Sequence, residues 1–148
     1  NLLFRLQKLP EAEKDFEKAL SLDDQSSEGV TGIGIIRVMT GRVEAGIEFV
    51  EQRRTHFGKE SLYLYNAACM YGRAIEALDK TPDGAERRKQ YRDLAIRDLA
   101  NSVRHGFDEL DWMAEDPDLK SLHGDPEFIK ICRGEVEAEI DGEPSDRQ

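Results

Sequence analysis

The sequence predicts an all-α fold: antiparallel helix pairs closed by short C-terminal capping helices. Three observations carry this. Apolar residues recur at helical spacing through most of the chain. No stretch of residues alternates polar and apolar convincingly enough to read as a strand. The helical stretches run to about 13 residues between turn signals, and short connections of that kind favour antiparallel neighbours.

The elements follow in order. Asn1–Leu6 reads as half of an amphipathic helix with no start signal, so the chain is expected to continue upstream into a longer protein. Residues 10–22 carry Ala12, Phe16, Ala19 and Leu20 at helical spacing. Ser26 or Ser27 can cap a second helix running to about Thr40, which Gly41 ends. Residues 43–56 form a predicted third helix with Ile47, Phe49 and Val50, stopped by Gly58. Residues 60–78 are a fourth, rich in Leu62, Leu64, Ala67, Ala68 and Tyr71. Asp79–Gly84 reads as a turn in which Thr81-Pro82 can start a fifth helix, and that helix is expected to reach His105. Gly106 supplies its left-handed stop, and Phe107 can fold back onto the helix end.

Gly106–Phe128 packs eight carboxylates, one histidine and the only tryptophan into 23 residues. Its acids read as helix starts. Asp108 or Asp111 is expected to open a short helix carrying Leu110, Trp112 and Met113. Asp116 with Pro117, and Asp125 with Pro126, are N-cap and first-position pairs. Leu119, Leu122, Phe128, Ile129 and Ile131 then cover the open end of the fold. Residues 133–148 are acidic, with at most a helical extension to about Ile140 and a flexible tail beyond.

Composition narrows the function. The chain has 148 residues, 39% hydrophobic and 35% charged, enough for one domain. Its net charge of −10 disfavours nucleic acid and anionic membranes, both of which call for a basic face. Its apolar runs are too short to span a bilayer. The basic cluster Arg87, Arg88, Lys89 and Arg92 reads as a solvated helix face. Cys69 and Cys132 stand in no metal spacing and read as reduced thiols, so a cytoplasmic setting is expected.

A period is visible. A shift of 34 residues carries Ile33 to Ala67, Gly34 to Ala68, Ala12 to Gly46 and Phe16 to Val50. Leu9-Pro-Glu-Ala12 through Phe16, Ala19 and Asp23 resembles the second helix of a tetratricopeptide repeat. Ile33-Gly34 with Gly41 resembles the start of the next repeat, and Asn66-Ala67-Ala68-Cys69 with Tyr71 the first helix of a third. The resemblance implies a short right-handed solenoid: a partial repeat over 1–24, a second over 27–58, a third over 60–105 and a cap over 106–132. Arg37 and Arg53 depart from the pattern, standing where an aromatic and an alanine are usual. The third repeat carries an insertion of 15 residues, with its second-helix trio at Ala95, Leu99 and Ser102. The C-terminal end, with Gly-Phe and its two Asp-Pro pairs, is similar to those that close bacterial tetratricopeptide arrays, including arrays that follow the kinase domain of some large bacterial serine/threonine kinases.

The resemblance implies a non-catalytic interaction or scaffolding module with a concave groove for a peptide or protein. It also allows a regulatory C-terminal region of a larger bacterial signalling enzyme, or a terminal cap with no ligand of its own. In the family register Thr31, Ile35, Val38 and Met39 face the groove from one repeat, and Leu62, Tyr65, Asn66, Cys69 and Arg73 from the next. Only Asn66 matches the family's carboxylate clamp, so a helix or an extended apolar segment is the expected ligand. No catalytic triad, phosphate loop or cofactor motif is predicted. Gly32-Ile-Gly34 lies mid-helix, and His56 and His105 fall at helix ends. No metal site is predicted either: residues 108–127 miss the calcium-loop pattern, and His123 has no imidazole or thiol near it in sequence.

Overall fold

A computed structural model describes residues 2–78 and 83–137, with the backbone alone for 2–7. These residues are helical, and no strand occurs among them. The elements are α1 (Leu2–Leu22), α2 (Ser27–Met39), α3 (Val43–Glu51), α4 (Arg54–Phe57), α5 (Ser61–Leu78), α6 (Ala85–Arg104), α7 (Leu110–Glu115), a 3₁₀ segment (Pro117–Leu122) and α8 (Pro126–Cys132).

A helix that is apolar on nearly every side must sit in the middle. α5 is that helix: 12 of its 18 residues are buried, from Tyr63 to Leu78. It packs against α2, α3, α6 and the 3₁₀ segment, while α1 lies on α2 and α3 on α2. Side chains such as Leu64, Met70 and Leu99, all within 2% of full burial, each stabilise the fold by about 1.5–3 kcal/mol.

Helix ends follow local chemistry. Ser26 accepts from the Gly29 amide at 3.0 Å, Asp116 from the Asp118 amide at 2.9 Å and Asp125 from the Glu127 amide at 2.9 Å. Gly41 and Gly106 have φ of +92° and +108°. After Gly106 the Phe107 amide donates to the Ser102 carbonyl at 2.9 Å, a doubled-back helix end that buries the Phe107 ring.

Several elements differ from expectation. α1 runs through Pro10 and joins the two helical stretches at its ends; the expected apolar pattern of Leu2, Leu3 and Leu6 lies outside the described side chains. The stretch 43–56 breaks into α3 and α4. The break follows Glu51, beside the Val50 carbonyl, which takes the Tyr63 hydroxyl at 2.6 Å. The Arg53 amide also turns onto that carbonyl at 3.0 Å, in place of continued α-helical bonding. The residues 79–82, with the Thr81-Pro82 start, lie outside the described residues, and α6 begins at Ala85. No side chain caps α7. The helix after Asp125 stops at Cys132, without extension over 133–137; residues 138–148 lie outside the description.

Long-range charges pin the layers. Glu13, 7% exposed, binds Arg42 at 2.6 Å and Arg37 at 3.1 Å, tying α1 to α2 and the turn after it. Arg54 forks onto the fully buried Asp98, both contacts at 2.9 Å, and onto Glu51, which also accepts from Tyr71 at 2.6 Å. Burial pushes the Asp98 carboxyl above its ordinary value even with Arg54 beside it. The basic cluster on α6 is more than a solvated face. Arg92 forks onto Asp125 at 2.6 and 2.8 Å, and Arg88 donates to the Leu78 carbonyl at 2.9 Å. Arg37 and Arg53 both lie over the Phe49 ring, at 4.8 and 3.7 Å from its centroid. No helix among the described residues is long and apolar enough to cross a membrane.

Candidate functional site

One face of α5 carries Leu62, Tyr65, Asn66, Cys69 and Arg73, spaced three and four residues apart as a single helix face requires. The chain covers the middle of this face with its own C-terminal segment. Gly72 makes that possible: a Cβ there would collide with the Asp118 carbonyl, so glycine lets the 3₁₀ segment lie directly on the helix. Ser121 donates to the Gly72 carbonyl at 3.2 Å.

Asp116 is the hinge of the contact. Besides capping the 3₁₀ segment, its 4% exposed carboxylate accepts from the Tyr65 hydroxyl at 2.6 Å and faces the Cys69 thiol at 3.8 Å. The Tyr65 ring stacks on Phe107 at 4.1 Å. Arg73 donates to Asp118 at 2.7 Å and to Glu76 at 3.3 Å.

What remains open is a cleft of about 460 Å³ between α5 and residues 107–118. Tyr65, Asn66, Cys69, Phe107, Glu109 and Asp116 are among its walls, and Leu62 and Trp112 stand exposed at its edge, at 40% and 51%. A second cleft of about 330 Å³, between α6 and α8, has walls of mixed charge that include Arg104, Lys130 and Glu127.

The structure therefore brings Leu62, Tyr65, Asn66, Cys69 and Arg73 to one cleft, and the α2 residues do not line it. Thr31 is 1% exposed, and its hydroxyl is spent inside the helix on the Ser27 carbonyl at 3.0 Å. Val38 is 2% exposed, and Ile35 and Met39 are half-buried, Ile35 against the core. The sequence reading missed Phe107, Glu109, Trp112, Asp116, Pro117 and Asp118 as cleft residues. Their signal was present as the Gly106-Phe107 stop and the Asp116-Pro117 start, two devices that fold the segment back.

Two groups of the cleft, Cys69 and Tyr65, are held in their protonated forms. Burial, with Asp116 and Asp118 nearby, pushes the Cys69 thiol well above its ordinary value, so it stays protonated and is a poor nucleophile. Burial likewise keeps the Tyr65 phenol protonated. Cys69, Asp116 and Asp118 bring potential metal-ligand atoms within 4.8 Å of one another, the one such group among the described residues. Each donor is already engaged, and a cation would have to displace Arg73 from Asp118. His56 faces Gln25 at 2.5 Å, and His105 caps α6 through its backbone. The His123 Nε2 is buried without a hydrogen-bond partner, its ring 5.7 Å from Phe128.

No protein-family model, no curated protein and no solved structure matches the chain.

Proposed function

We propose that this chain is a non-catalytic interaction module, a short tetratricopeptide-like helical array that offers the α5–cap cleft to a peptide or protein partner. The observation that carries this reading is the pairing of an open cleft with exposed Leu62 and Trp112 at its edge. A concavity lined by apolar and aromatic side chains with a few polar groups is the usual place for a ligand. The 34-residue period and the close approach of α2 and α3 at Gly34 and Gly46 support the repeat reading.

Parallel affinity capture with the unaltered chain, Leu62→Ala, Trp112→Ala and the remote control Glu86→Ala tests it. The expected result is a discrete partner whose recovery falls by about tenfold with each cleft variant and holds with the control. Equal recovery by all four, at equal melting temperature, overturns it.

A further inference from the structure

The acids of residues 108–118 fall into two groups. Asp116 caps the 3₁₀ segment and Asp118 holds Arg73, so packing accounts for both. Asp108, Glu109, Asp111 and Glu115 are exposed. None of the four takes part in an ion pair or a side-chain hydrogen bond among the described residues, and Glu109, at the N-cap of α7, makes no capping bond. The expected short helix with Leu110, Trp112 and Met113 forms, but neither Asp108 nor Asp111 caps it. Neither capping nor pairing within the described residues accounts for this negative charge.

Of these four acids, Glu109 lines the cleft, together with the two bonded carboxylates, Asp116 and Asp118. The single cation of the cleft, Arg73, is already held by two carboxylates. Lys120 is exposed nearby but is not among the lining residues. At the edge Trp112 offers a half-exposed indole, the best aromatic surface for a cation, next to the apolar Leu62.

Resting on the interaction reading of this cleft, we propose that its occupant is a basic–apolar segment of a partner protein. A lysine or arginine sits against Trp112 and pairs with Glu109, and a flanking apolar side chain lies on Leu62. An acidic segment would meet like charge at Glu109, and a neutral apolar one would leave Glu109 unpaired.

Trp112 is the only tryptophan, so its emission reports directly on the site. The folded chain is titrated with three short peptides of equal length, alternating leucine with lysine, glutamine or glutamate. The lysine–leucine peptide is expected to shift Trp112 emission with the highest affinity and to weaken as salt rises. Glu109→Lys is expected to weaken it about tenfold, and Glu86→Lys, an equal charge change on an exposed residue of α6, to leave it within twofold. Equal affinity for the glutamine or glutamate peptide overturns the basic class while leaving the cleft an interaction site. Equal weakening by Glu86→Lys, or no response to the lysine–leucine peptide, also overturns it. The interaction reading itself stands or falls on the separate capture experiment with Leu62→Ala and Trp112→Ala.

Discussion

Asp116 shows how one side chain ties local to distant structure. It caps its own segment at the Asp118 amide and takes the hydroxyl of Tyr65, 51 residues earlier. Asp116→Ala removes a cap worth about 1 kcal/mol and strands a buried hydroxyl at about 1–3 kcal/mol. The expected loss is therefore about 2–4 kcal/mol in urea denaturation. Adding Tyr65→Phe to that variant is expected to cost little more, because the two share one interaction; additive losses would contradict it. Half of this was legible in sequence. Asp-Pro capping needs only neighbours along the chain, whereas the Tyr65 contact exists only once residues 107–122 lie on α5. The same divide separates Arg92, read as a solvated charge, from its fork onto Asp125 across 33 residues.

At the scale of elements, glycines set how closely helices approach. A Cβ on Gly46 would stand 2.5 Å from the Gly34 carbonyl, and one on Gly34 would collide with Val50. Gly46→Ala is expected to cost about 1–3 kcal/mol, as overpacked contacts do. Gly72→Ala is expected to cost a similar amount and also to move the cap off α5, changing Trp112 emission where Gly46→Ala does not. Intact emission from folded Gly72→Ala would contradict that geometry. The 34-residue shift carries Gly34 to Ala68 and Ala12 to Gly46, all small residues, but does not pair Gly34 with Gly46. The role of Gly72 was not legible either, since nothing local marks which helix a terminal cap will lie on. For the same reason the face of α5 was read as an open groove, when residues 107–122 cover its middle. Thr31 and Val38 went the same way: a helical register gives a face but not what packs on it.

Over the whole molecule, charge pairs make stability depend on pH. Arg42 holds the Glu13 carboxyl below its ordinary 4.5, and Arg92 holds Asp125 below its ordinary 3.8. Burial raises Glu51, but Arg54 and Tyr71 outweigh it and leave it lowered. The unfolded chain takes up these protons first, so the stabilisation is complete above the ordinary values and is lost as pH falls through the lowered ones. Asp98, raised by burial, works in the opposite sense and softens the slope. Melting temperature is expected to fall between about pH 5 and pH 3, and Glu13→Gln with Asp125→Asn to flatten that fall; an unchanged slope would contradict it.

The all-α class and most helix ends were legible because periodicity and caps are local. The break after Glu51 was not, because Tyr63 of α5 occupies the Val50 carbonyl beside it. Residue-resolved NMR mapping of a captured partner on the isotope-labelled chain bears most directly on the interaction cleft. Perturbed amides are expected to cluster at Leu62, Asn66 and residues 107–118. Perturbations confined to α1–α3, or scattered without a focus, would contradict the assignment of this cleft as the binding site.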